Sequence, residues 1–355
     1  MRREDYIAQF QAQCYLPAAG AAMNRFMTSY AGHAEQIHKT VIGQFDLFFR
    51  SIVRMQERRL LDTVHSVALS FPYSSLLCGN PCMIFEVYPD LPFLTSRLMQ
   101  ETFSAPWVFP DWDAFYEDLL HRTQKLGLGT AIRPPYIKSS MWDTARYVLH
   151  VVSTLLKAQM VDVEALSSFR GMKKADTFRL TFGEYMDWQR LIYAQLPPID
   201  LFNCDEQEPL SFRVFRSAVY EDKTFEYLEL DDARFTFCVF RNCLFRDSKL
   251  RDSRFDGCDF ENCRFERVRL DGARFSGSKL LHIEMSEVKT NCMSPDSDTI
   301  LGGFTTTDFV NCFLENVSIT KSDYSASRFL GCQAKQLTTD ASELSGSLEL
   351  LQTQE

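Results

Sequence analysis

The chain has 355 residues, 45% of them hydrophobic and 24% charged, which is enough to bury the cores of two or three domains. Its net charge of −9 argues against a general nucleic-acid binder. The opening MRREDY lacks the apolar stretch of a secretory signal and no uncharged run reaches membrane-spanning length, so a soluble, cytoplasmic protein without a membrane partner is predicted.

Residues 1–210 read as a mostly α-helical domain of unrecognised family. Helices are predicted over 4–15, 113–125, 141–160 and 183–195. A longer one is predicted from about Ala34 to Leu69, where Val41, Phe45, Phe48, Ile52 and Met55 recur at helical spacing. MIFEVYP (83–89) is the best isolated strand, and Pro17, Pro92, Pro106, Pro110, Pro134, Pro135, Pro197 and Pro198 fall at plausible connections. LPPIDLFNCDEQE (196–208) reads as a rigid junction, with the helical domain capping whatever follows.

This domain offers little site chemistry. Three acid-x-x-His pairs, Glu35 with His38, Asp62 with His65 and Asp118 with His121, could each supply half of a carboxylate–histidine metal site. The first two, 27 residues apart on one predicted helix, would stand about 40 Å apart, and polar side chains on a water-facing side of the helix explain them better. Cys78 and Cys82 bracket a turn-forming CGNPC, and GLGT (127–130) lacks the glycines and lysine of a phosphate cradle, so it reads as a helix C-terminal turn. Six scattered histidines form no legible nucleophilic triad. No catalytic residue, cofactor site or metal site is assigned. FSAPWVFPDWDAFY (103–116) could line a pocket, which keeps open an enzyme or ligand-binding domain with an appended targeting module.

From Phe215 to Met285 an apolar residue stands at every fifth position, with leucine at 230, 250 and 270 and phenylalanine at 235, 255 and 275. Five fits neither a helix nor a strand, so each unit must turn the chain and stack on a copy of itself. Like residues recur twenty apart, so four units make one square turn. Two positions before each centre the residue is mostly small, as in Ala233, Cys238, Cys243, Ser248, Ser253, Cys258 and Cys263, with Val268 the larger exception.

The units CVFRN, CLFRD, SRFDG, CDFEN, CRFER, ARFSG and SKLLH resemble the pentapeptide-repeat family. The resemblance implies a right-handed quadrilateral β-helix over 211–337, its centres and small residues inward and coils about 4.8 Å apart. The fold class is therefore α+β multidomain. A second array is centred on Phe304, Phe309, Leu314, Ile319, Tyr324, Phe329 and Ala334, and a distorted coil is expected over 286–303. Residues 338–355 lose the period and read as a C-terminal cap or tail. Six of eleven cysteines (238, 243, 258, 263, 312 and 332) occupy the small inward slot and read as core thiols.

Outward positions carry the functional signal. Arg234, Arg254 and Arg274 form one vertical ladder, Lys249 and Arg269 part of a second, and together they are the candidate interaction surface. Residues 211–280 hold 14 basic against 13 acidic residues, whereas 281–355 hold 4 against 11. A non-catalytic scaffold or interaction protein binding another protein is the leading reading. The family resemblance also implies an alternative, a DNA mimic that protects topoisomerases from inhibitors, and the tail could support a homodimer.

Overall fold

In the computed structural model residues 2–92, 95–290, 306–340 and 342–352 are described. The chain forms two compact units, Met1–Tyr193 and Ala194–Glu355.

Among the described residues the first unit combines seven α-helices, α1 (Arg3–Phe10), α2 (Leu16–Glu57), α3 (Ser74–Leu77), α4 (Trp112–Lys125), α5 (Pro134–Ala158), α6 (Met160–Ala165) and α7 (Ser167–Gly171), with a five-stranded sheet. Its strands β1 (Val64–Phe71), β2 (Cys82–Tyr88), β3 (Met99–Ser104), β4 (Lys174–Glu184) and β5 (Gln189–Gln195) lie in the order β3-β2-β1-β4-β5. β1 runs antiparallel to β2 and parallel to β4. Most of the unit is helical, yet the sheet is its organising layer, since Phe45 and Phe48 of α2 lie 5.0 and 4.4 Å from the Phe85 ring on β2.

Three local expectations are corrected. The long helix ends at Glu57, not near Leu69, and Val64–Phe71 is a strand. No glycine or proline signals that end. Arg59 takes the left-handed conformation (φ 60), Leu60 N–H donates to Met55 and Arg59 N–H to Gln56, closing the helix with an arginine where glycine is usual. Buried Gln56 then bonds Asp62 and Lys173, tying the helix end to the starts of β1 and β4. The predicted helix over 183–195 is the β4–β5 turn and β5, with Met186 at φ 62. Pro17 interrupts nothing, because a π-helical turn over Gln11–Tyr15 joins α1 to α2 just before it and absorbs the missing amide. GLGT does close a helix: Gly127 has φ 68, and Leu128 N–H reaches Thr123 while Gly127 N–H reaches Gln124.

The second unit is a four-sided β-helix. Its first face stacks strands centred on Phe215, Phe235, Phe255, Phe275, Phe309 and Phe329 in register. The second and third, begun by Tyr220 and Phe225, share a nine-stranded sheet, and the fourth is a column of bridges from Glu229 to Glu343. Phenylalanine rings stack vertically, with centroids 4.9 Å apart between Phe235 and Phe255 and 4.6 Å between Phe255 and Phe275. The small slot does more than save space. Cys258 Sγ donates to Phe235 O at 3.3 Å and Ser278 Oγ to Phe255 O at 3.0 Å, so each hydrogen-bonds the coil below. Thiol or hydroxyl satisfies a buried carbonyl there, which alanine cannot.

Most coil corners place a left-handed residue two after the centre. Asp222, Asn242, Asp247, Asp252, Asn262 and Gly257 all have φ near +50 to +60. Asparagine, aspartate and glycine tolerate that region best and hold most of these corners, although Ser217, Tyr227, Phe237, Arg267 and His282 adopt it too.

Phe275 pairs directly with Phe309, 34 positions on, fourteen more than the twenty of a regular turn. The expected distorted coil over 286–303 falls partly on regular repeat: Lys289 pairs with both Arg269 and Asp323, and Thr290 N–H donates to Asp323 O. The rest of that segment, and the expected centre Phe304, lie outside the described residues.

Both ends of the solenoid are closed from within the unit. Ile199, Leu201, Phe202 and Leu210 pack on the first coil, Phe202 lying 5.9 and 5.1 Å from Tyr220 and Phe225. Residues 199–210 therefore belong with the solenoid, and the chain divides seventeen residues before the boundary at 210 read from the onset of the period. Arg213, 4% exposed, fastens this plug by donating to Pro197 O, Pro209 O and Glu208. At the other end α8 (Gly346–Gln352) buries Leu348 and Leu351 in the same core.

Candidate interaction surface

The coil geometry turns sequence spacing into vertical rows. Residues twenty apart meet on neighbouring coils, and most charged rows pair acid with base. Lys249 meets Glu229 at 2.6 Å, Arg267 meets Asp247 at 2.7 Å, Arg246 meets Glu266 at 2.8 Å and Lys335 meets Glu315 at 2.6 Å. The hydrogen bonds from Lys249, Arg267 and Lys335 hold the Glu229, Asp247 and Glu315 carboxyls below their usual ranges. The second-face corner carries amides instead, Asn262 donating to Asn242 and Asn242 to Asp222.

Arg234, Arg254 and Arg274 break that pattern. They stand directly above one another on the first face, Arg234 against Arg254 and Arg254 against Arg274, with the row continuing to Asp308 and Arg328. Arg274 is exposed and Arg234 and Arg254 are half-buried; Arg274 Nε donates to Ser276 at 3.0 Å, and the other two make further interactions. Stacking like charges costs energy in a sheet. Lys249 and Arg269 lie on the fourth face, in a row running Glu229, Lys249, Arg269, Lys289, Asp323, Glu343. Glu229 engages Lys249 and the buried Asp271 engages Arg269, at 2.8 Å. The structure thus brings the three arginines together and puts the other two candidates on a different side.

Sequence reasoning missed an apolar element beside the ladder. Phe237, at the next corner above Ser217, is 68% exposed. The signal was available, since phenylalanine stands at an outward corner position where Asp, Asn and Gly are the commonest residues.

In the first unit Glu35 bonds Lys39, His38 lies 3.3 Å from Asp162, and Asp118 pairs with Arg122. Asp62 follows the helix and His65 lies on β1, so those two are not on α2 as expected. Among the described residues no group of three or more His, Cys, Asp or Glu is arranged to hold a metal. The aromatic stretch 103–116 does border a cavity, lined by Phe26, Val108, Phe109, Trp112 and Phe115, but of only about 30 Å³. That is room for a water molecule, not a substrate.

Comparison with known proteins agrees with the coil geometry. Residues 224–279 match the family model for pentapeptide repeats in nine copies, and no family model matches the first unit. The C-terminal part of the chain is a pentapeptide-repeat β-helix. Similar solved structures include a pentapeptide repeat protein from the cyanobacterium Cyanothece 51142 (10% identity, 37% of this chain and 91% of that one, TM-score 0.25). Others are trypsin-treated QnrB1, a plasmid-mediated fluoroquinolone resistance protein (16%, 39% and 72%, TM-score 0.20), and HetL from Nostoc sp. strain PCC 7120, involved in heterocyst differentiation regulation (11%, 38% and 84%, TM-score 0.14). TM-scores this low carry no weight, and the fold assignment rests on the repeat and the coil register. No curated protein matches the chain in sequence.

Proposed function

We propose that the chain is a non-catalytic interaction protein whose β-helix docks an acidic protein partner on its first face. One observation carries this reading: Arg234, Arg254 and Arg274 are stacked in register on the first face. A rigid solenoid holds such a row at fixed spacing, and a row of one sign steers a complementary partner and sets its register. A duplex mimic that protects topoisomerases would need acidic faces along its length, and the alternating rows supply near-neutral ones. Among the described residues no helix is long and apolar enough to cross a membrane.

The test is affinity capture from the source cells with the wild-type chain and with the triple variant Arg234→Glu, Arg254→Glu, Arg274→Glu. Loss of a captured protein from the variant alone supports the reading. Identical capture by both, or turnover of a small molecule by the purified protein, overturns it.

A further inference from the structure

The spacing of the ladder and what stands beside it narrow the partner further. This step rests on the docking role proposed for the first face.

Coils of the solenoid rise by one inter-strand spacing, about 4.8 Å, so Arg234 and Arg274 stand about 9.6 Å apart along the axis. An α-helix laid along that axis presents residues i, i+3 and i+7 on one side over about 10.5 Å, at 1.5 Å per residue. An extended strand presents i, i+2 and i+4 over about 13 Å. The helix is the better match.

The width fits as well. Arg234 opens its strand and Phe237 closes the same side at the corner, three residues or about 10 Å across, close to the diameter of a helix with its side chains. Between them the column Thr236, Asp256, Ser276 is short and polar. The Phe237 ring leans over Gly257 on the coil above, so it lies against the face instead of standing away from it. One edge of the strip is therefore cationic, and the other carries the Phe237 ring.

We infer that the first face binds an amphipathic acidic helix lying parallel to the solenoid axis, its carboxylates at i, i+3 and i+7 on Arg234, Arg254 and Arg274 and its neighbouring apolar stripe on Phe237. Charge complementarity selects the acidic stripe, and the apolar contact supplies affinity that survives salt.

The probe is a helical peptide of about 20 residues, long enough to hold its fold in water, with glutamates at alternating three- and four-residue spacing and leucines on the adjacent stripe. A second peptide has the same composition with the glutamates scrambled, and a third carries two central prolines. Fluorescence anisotropy with the full-length chain should show saturable binding of the first peptide, and about tenfold weaker binding of the other two. The triple arginine-to-glutamate variant should abolish it. Phe237→Ser should weaken it in high salt more than in low. Equal binding of all three peptides, or none of the first, overturns the helix inference. Loss of cellular capture by the triple variant would in that case still stand, which separates this failure from failure of the docking role.

Discussion

The ring of Phe237 occupies the place where a side chain on Gly257 would stand: a Cβ built there would lie 2.7 Å from the ring. Gly257 is itself left-handed, at φ +61. Gly257→Ala should therefore lose stability twice, about 1 kcal/mol for the backbone and more for displacing the ring. In the Phe237→Ala background only the backbone part should remain. A double-mutant cycle by chemical denaturation measures the difference, and full additivity would show that the ring does not rest on the glycine.

Truncating the ring stack should be far more costly. Phe255 is fully buried between Phe235 and Phe275, so Phe255→Ala should lower stability by about 3–5 kcal/mol. Lys249→Ala removes a half-exposed ion pair and should cost about 0–1 kcal/mol. Denaturation midpoints compare them, and equal losses would contradict the inward and outward assignment.

The repeat thiols should be silent in the folded protein. Cys258 and Cys263 are pushed above the ordinary thiol range by hydrogen bonding to Cys238 and Cys243 beneath them and by burial. Alkylation should modify exposed Cys78 first, and Cys238, Cys243, Cys258 and Cys263 only after unfolding. Cys258→Ser should be tolerated better than Cys258→Val, because only serine keeps the donor to Phe235 O. Mass spectrometry of quenched time points reads the first outcome, and denaturation the second.

Much of this architecture was legible because a five-residue period leaves a chain few ways to bury its large side chains. Leu230, Leu250 and Leu270, all fully buried, sit where the twenty-residue rule puts them. What was not legible shares a physical cause: non-glycine residues in left-handed conformations. Arg59 ends α2 and Met186 turns β4 into β5, and neither residue type announces a turn, so both stretches read as helix. The plug over 199–210 was hidden for a different reason, since four apolar contacts without a period look like a junction. The arginine ladder was visible in the spacing, whereas Phe237 needed the corner geometry to show which side it faces.

Arg213 offers a test of that plug. Arg213→Ala would leave the Pro197 and Pro209 carbonyls without their donor, a loss of about 1–3 kcal/mol. Limited proteolysis should then cut within 199–210 sooner than in wild type, and amides of Val219–Glu221 and Thr224–Glu226 should exchange faster than those of Asp259–Glu261. Unchanged proteolysis and exchange would show that the first coil does not depend on the plug.

The central claim is that Arg234, Arg254 and Arg274 act on a partner and not on the fold. The most direct measurement follows association of the captured partner with the wild-type chain and the triple arginine-to-glutamate variant across a salt series, with circular dichroism alongside. The account predicts superimposable spectra, fast wild-type association that slows steeply with salt, and slow variant association with little salt dependence. Equal association rates with equal salt dependence, on an intact fold, would contradict it.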